Sequence, residues 1–223
     1  MTTGSRPLRL AHRGDWRAAP ENTLPALLAA LAVPACDGLE FDVQVSADGV
    51  PVLLHDDTLA RVQGRPERAD QLSAAALGDL GVPTLADVIA AVPPHVFLDV
   101  ELKGDVGSVA VAVLAAGRGP DLRRAVVSSF DGGALERVAG LAPTWPRWLN
   151  AEDLAPATIG AAVELGCRGI SADWRAIDRG SASRVGAAGL DLAAWTVRRR
   201  PTFQRLARLG VVAVCVEAAA LDG

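Results

Sequence analysis

Two of the three histidines stand in short polar motifs near the start of the chain, Ala11-His12-Arg13-Gly14 and Leu54-His55-Asp56. Between them lie Pro20-Glu21-Asn22-Thr23, Gly38-Leu39-Glu40-Phe41-Asp42 and the dipeptide Asp48-Gly49. Imidazoles titrate near neutrality, so a pair of them can take a proton from one atom and give one to another. Closely spaced carboxylates are hard oxygen donors of the kind a divalent cation prefers. Together these groups can hold a metal and move protons on either side of a phosphate. A lone core histidine is commonplace; an ordered set like this, in a chain so poor in His, points to chemistry.

Short apolar runs alternate with helical patterns along the whole sequence and supply the frame for these residues. Strands are expected over 8–11, 39–45, 96–103, 125–130, 147–150, 167–172, 192–197 and 211–216. Helices are expected over 23–33, 84–92, 108–116, 133–141, 156–165, 181–188 and 201–209, the first capped by Asn22 or Thr23 with Pro25 in its first turn. Such alternation implies parallel strands joined by right-handed crossovers. Eight units in 223 residues, with no Pro/Gly/Ser linker to divide them, favour one (β/α)₈ TIM barrel spanning residues 1–223. The alternative is an open doubly wound sheet, but no glycine-rich fingerprint follows the first strand.

In a parallel barrel the carboxyl ends of all strands share one face, where catalytic groups collect. His12 ends the first strand. Glu40 and Asp42 alternate on the second, so they face one side, and Glu101 and Lys103 do so on the third, with Asp99 one step deeper. Any one of these acids reads as a structural ion pair with Arg13 or Lys103. Burying Glu40, Asp42 and Glu101 together costs several kcal/mol per ion unless positive charge compensates, which favours a divalent cation. Asp48-Gly49 signals a short β-hairpin after the second strand. Pairing positions that sum to about 97 brings His55 back opposite Asp42, and a one-residue slip of register sends it to the other face. His95, after Pro93-Pro94, falls at the amino end of its strand and reads as structural.

The net charge of −4 argues against a nucleic-acid partner. The run Arg198-Arg199-Arg200 reads as a solvated helix start. Cys36, Cys167 and Cys215 show no metal or redox spacing and lie in or beside apolar stretches, as buried free thiols do. The first nine residues carry no apolar leader, and no run reaches the ~18 apolar residues of a membrane span. A cytoplasmic protein without stable membrane insertion is the expectation.

The motifs resemble those of the glycerophosphodiester phosphodiesterase family, barrels of the phospholipase C-like phosphodiesterase type. The match continues past His55-Asp56 through Pro83-Thr84-Leu85, Glu101-Leu102-Lys103, Ser129-Phe130 and Trp195-Thr196-Val197. The resemblance implies that Glu40, Asp42 and Glu101 bind Ca²⁺ or Mg²⁺ and that His12 and His55 are the acid/base pair. It places Arg13, Lys103 and Trp195 at the phosphate and substrate, a small-molecule phosphodiester cleaved to glycerol 3-phosphate and an alcohol. A lysophospholipid is a second substrate class, for which Trp16, Trp174 and Trp195 would have to form an apolar landing surface. A non-catalytic binding barrel is a third reading. Two positions depart from the pattern: Arg198 stands where the family usually has Asn, and Val216-Glu217-Ala218 where it usually has Thr-Asp before a Pro. Arg198 either binds a second anionic group on the substrate or is a surface charge beside Arg199 and Arg200.

Overall fold

The computed structural model describes residues 6–223; the expectation for the extreme N-terminus therefore lies largely outside the described residues. Eight parallel strands close a barrel: β1 (Leu8–His12), β2 (Gly38–Val45), β4 (Phe97–Leu102), β5 (Ala125–Ser129), β6 (Arg147–Ala151), β7 (Gly169–Asp173), β8 (Asp191–Val197) and β9 (Ala213–Val216). They pair in chain order, and β1 bonds to both β2 and β9, which closes the ring. The remaining strand, β3 (Pro51–Leu53), adds to β2 antiparallel outside the barrel. The closed (β/α)₈ reading and the hairpin extension are both realised.

Seven helices alternate with the strands on the outside: α1 (Leu24–Leu31), α4 (Leu85–Ala91), α5 (Gly107–Arg118), α6 (Gly132–Leu141), α7 (Pro156–Glu164), α8 (Arg179–Ala187) and α9 (Arg200–Arg208). Their starts follow ordinary capping chemistry. Thr23 caps α1 by accepting from Ala26 N with Pro25 in the first turn, and Thr84 and Asp87 form a reciprocal capping box on α4. The segment between β3 and α4 carries two further short helices, α2 (Ala60–Gln63) and α3 (Ala74–Asp79). No periodicity in so short a stretch announces them.

Strand alternation sorts the side chains into two layers. Leu39, Phe41 and Val43 of β2 and Leu98, Val100 and Leu102 of β4 face outward and are buried against the helices. Inside, Leu10, Val126, Trp148, Ala193, Ala213 and Cys215 fill the amino-terminal floor of the barrel. Above that floor the interior turns polar: Glu40, Asp42, Asp99, Glu101, Ser128, Asn150 and Ser171 are all buried. Register explains their meeting, because His12 pairs with Glu40, Glu40 with Asp99, Asp42 with Glu101 and Glu101 with Ser128. A third cluster, Val52, Leu54, Leu59, Ala69, Leu77 and Val82, packs beneath the hairpin and the two short helices.

Three thiols are free: Cys167 and Cys215 are buried, whereas Cys36 is only half-buried. His95 is exposed at the amino end of β4, away from the polar face. Among the described residues no helix is long and apolar enough to cross a membrane.

Gly14 locks the turn after β1 onto α1. Its φ is +88°, and a Cβ there would stand 2.6 Å from the carbonyl carbon of Ala26. Gly14→Ala therefore combines a left-handed backbone with a clash against main chain. It is expected to lower stability by about 2 kcal/mol or more, read as a fall in the urea midpoint at constant m.

Candidate active site

The turn that Gly14 permits also sets Arg13. Arg13 itself has φ +57°, and its backbone N–H donates to Glu40 O at 2.8 Å. The guanidinium thereby lies against Asp42, with Nε 3.0 Å from Oδ2, and its Nη1 donates to Glu21 Oε1 at 2.9 Å. Asn22 grips Asp42 from the other side. Its Nδ2 donates to Asp42 Oδ2 at 2.9 Å, and its Oδ1 accepts from the Asp42 N–H at 3.3 Å. In the sequence Asn22 reads as one of two candidate helix caps. Thr23 takes that task, which leaves Asn22, at φ +56°, to hold the acid.

Glu40, Asp42 and Glu101 each offer an oxygen within 4.8 Å of the others, and all three are buried. Lys103 bonds Glu101 and lies 3.1 Å from Asp42 Oδ1. Burial and the charges of Asp42 and Glu101 push Glu40 well above the ordinary carboxylate range, against the pull of Arg13. Burial and Asp42 likewise raise Glu101, with Lys103 opposing. Asp99, one step below, is pushed up to about 7 by burial despite the Ser128 hydroxyl that donates to it at 2.6 Å. Burial would raise Asp42 as well, but Arg13, Lys103, His55 and Asn22 outweigh it and hold that carboxyl below its usual value. Glu40 Oε1 is buried without a hydrogen-bond donor, while Asp42 Oδ1 faces the Lys103 ammonium. Three converging acids, two of them raised by burial and one with an oxygen left without a donor, fit a divalent cation by charge and donor type.

The histidines flank this cluster. His12 Nδ1 lies 2.6 Å from Glu217 Oε1, and its Nε2 lies 3.8 Å from Glu40 Oε2 and 3.5 Å from Thr196 Oγ1. Glu217 is 7% exposed and follows β9. Burial works against its charge, but the bonds from His12 and Arg198 prevail and bring it down to about 2. On the opposite wall His55 Nδ1 lies 2.6 Å from Asp56 Oδ1, and Asp56 is held in turn by Arg61 at 2.6 Å. Arg61 also bonds Glu21, at 2.7 and 2.8 Å, so Arg13, Glu21, Arg61, Asp56 and His55 form one chain of ion pairs. Burial lowers His55 below its ordinary value, although Asp42 and Asp56 pull the other way.

The route by which His55 arrives differs from the sequence expectation. The hairpin pairs Val43 with Leu53, Gln44 with Val52 and Val45 with Pro51, a sum of 96, one short of the expected register. Continued regularly, that ladder would turn His55 outward. The ladder's last bond runs from the Leu54 N–H to Asp42 O at 3.2 Å, and the Gln44 amide gathers the carbonyls of Leu54, His55 and Asp56 at 3.1, 3.3 and 2.7 Å. The chain leaves the ladder there, and His55 lines a cavity of about 420 Å³ with His12, Arg13, Glu40, Glu101 and Lys103.

Trp195 and Phe130 complete the wall, edge to face with ring centroids 5.6 Å apart, and the indole N–H donates to Ser171 O at 2.8 Å. All eight residues singled out in the sequence thus meet around one centre: seven line the cavity and the eighth, Asp42, lies beneath it. Of the three tryptophans considered as a landing surface, Trp174 and Trp195 line one cavity, at whose walls arginines outnumber apolar side chains. Trp16 stands apart and exposed, while Trp174 stacks against Arg175 and Arg205. The parts that Glu21, Asn22, Gln44 and Arg61 play in the site are not legible in the sequence, because no local pattern names their partners. Glu217 was visible there only as a departure from a pattern.

A chain of this architecture has known relatives. The fold superposes on an Oleispira antarctica phosphodiesterase, solved in complex with the product sn-glycerol-3-phosphate, with a TM-score of 0.84 and 28% identity over 95% of this chain and 93% of that one. A Thermotoga maritima glycerophosphodiester phosphodiesterase has the same fold, with a TM-score of 0.83 at 20% identity, covering 98% and 97% of the two chains. In sequence, a probable glycerophosphodiester phosphodiesterase 1 of Mycobacterium tuberculosis is 30% identical over 74% of this chain and 71% of its own length. The mouse glycerophosphodiester phosphodiesterase 1 is 36% identical over 46% of this chain, a match that spans 36% of the mouse protein. Residues 12–221 match the glycerophosphoryl diester phosphodiesterase family, and the chain belongs to that family.

Proposed function

We propose that the protein hydrolyses glycerophosphodiesters to glycerol 3-phosphate and an alcohol, acting as a single barrel domain. The observation that carries this reading is the pair of histidines, each with a carboxylate on Nδ1, on opposite sides of a buried triad of acids. A carboxylate at Nδ1 fixes the imidazole as the Nδ1–H tautomer and leaves Nε2 as the free nitrogen. One neutral imidazole then takes the proton of the attacking oxygen on Nε2, and the other, entering the reaction as the imidazolium, delivers its Nε2 proton to the departing alkoxide. The same pair serves whether the attacking oxygen belongs to water or to the substrate's own glycerol 2-hydroxyl.

Glu40, Asp42 and Glu101 would hold the cation, Ca²⁺ or Mg²⁺. When bound, it supplies charge to offset a phosphoryl oxygen and the build-up of negative charge on reaction. Arg13 and Lys103 serve the same end from the protein side, as fixed cations beside the site, both raised further into their charged range by Asp42 despite their burial. Trp195 gives the substrate a flat wall. The product bound in the Oleispira antarctica relative is of the class proposed here.

His12→Ala and His55→Ala are each expected to lower kcat for release of glycerol 3-phosphate by about 10²–10⁴-fold while circular dichroism stays that of the folded barrel. Near wild-type turnover in either variant would remove that histidine from the mechanism. Glu40→Gln is expected to abolish most of the rise in melting temperature that Ca²⁺ or Mg²⁺ gives the wild type. A full metal-induced rise in this variant would show that Glu40 is no ligand.

Glu217 provides a check through pH. Its folded-state value is about 2 against an ordinary 4.5, so its contribution to stability is complete above 4.5 and fades as pH falls towards 2. The difference in unfolding free energy between wild type and Glu217→Gln is expected to be largest above pH 5 and to shrink steadily in acid. A difference that stayed constant from pH 6 to pH 3 in urea titrations would contradict the ion pair.

A further inference from the structure

A second cavity, of about 480 Å³, opens beside the first at the mouth of the barrel. Trp195 and Thr196 line both, so the two are neighbours across the end of β8. The walls of the second carry three arginines, Arg175, Arg198 and Arg199, against one acid, Asp173, in a chain whose net charge is −4. Arg198 is anchored from below. Its Nε donates to the buried Glu217 at 2.7 Å, yet its side chain stays 72% exposed, and its two terminal nitrogens have no protein partner among the described residues. Arg175 lies 4.6 Å over the Trp174 ring and pairs with Asp173 at 3.2 Å.

A guanidinium tethered through Nε presents its terminal edge in a fixed direction, and that edge takes a phosphate or carboxylate through two parallel hydrogen bonds. The tether also removes part of the side-chain entropy that binding would otherwise cost. The two positions where the chain leaves the family pattern, Arg198 and Glu217, are therefore one bonded unit. It joins His12 on one side to the second cavity on the other. Resting on the reaction proposed above, the geometry points to this second cavity as the subsite for the alcohol half of the diester. The alcohol it fits carries a second anionic group, a phosphate or carboxylate, bound by Arg198 with Arg175 and Arg199. A neutral alcohol leaves the three guanidinium groups to water, and a cationic one meets like charge.

Three diesters that share the glycerophosphoryl half provide the test: glycerophosphoglycerol, the same compound phosphorylated on its distal glycerol, and glycerophosphocholine. The distally phosphorylated diester is expected to have a KM roughly tenfold below that of glycerophosphoglycerol, and glycerophosphocholine the highest of the three. R175Q/R198Q should raise KM for the anionic diester by about as much and abolish the preference. Arg198 also touches Glu217, so loss of His12 orientation would lower kcat for all three alike and leave the KM ratios in place. R175Q and R199Q, at positions that do not contact Glu217, should each weaken the same preference. Calorimetric binding of the anionic diester to metal-free wild type and R175Q/R198Q, at low and high salt, reads the subsite without turnover. Failure to hydrolyse any of the diesters would sink the proposed reaction and still leave binding to decide the subsite. Equal affinity of the wild type for all three, or a preference that survives R175Q/R198Q, overturns the subsite.

Discussion

Asp42 is the residue on which the arrangement turns. It is wholly buried, it stands between two other acids, and it stays ionised because Arg13, Lys103 and Asn22 converge on it. Removing one partner from a buried charge typically costs about 3–5 kcal/mol, so each of these residues is constrained by the same atom group. The constraint propagates outward. Arg13 requires the left-handed turn after β1, that turn requires Gly14 against α1, and Asn22 requires that Thr23 take over the helix cap. A polar centre inside a barrel is thus written into the backbone of the loops around it.

This explains which features could be read in the sequence. The barrel was legible because each strand–helix unit announces itself locally, through apolar runs, caps and turns. The acids and histidines were legible because strand alternation and the common direction of parallel strands place them without knowledge of distant contacts. The Arg13–Glu21–Arg61–Asp56 network was not, because no local pattern says that Arg61 of a four-residue helix reaches Glu21. The hairpin register lies one below the central expectation, the slip that would turn His55 outward, and His55 still reaches the cavity. A side-chain amide with three carbonyl partners overrides the alternation of a strand only three residues long.

The histidines show a division of labour between elements. His12 and Glu217 stand at the ends of β1 and β9, neighbours in the ring, so their bond is fixed by the sheet itself. Arg198 at the end of β8 adds the next strand to the same row. The departures at positions 198 and 217 belong together for that reason: two adjacent strand ends, read separately in sequence, share one interaction in space.

His55, by contrast, rides on a separate body. The hairpin, α2 and α3 have their own small apolar cluster, joined to the barrel through β2, the Gln44 amide and the Arg61 ion pairs. A protein's local stability is uneven, and units with few shared contacts open before the whole unfolds. The two histidines of the cavity are therefore divided between two packed units of unequal size. Opening the smaller one withdraws one imidazole while the barrel, its buried acids and the other imidazole stay assembled. A cavity built this way can lose His55 to local opening at temperatures where the barrel is still folded, an event that the melting of the barrel does not report.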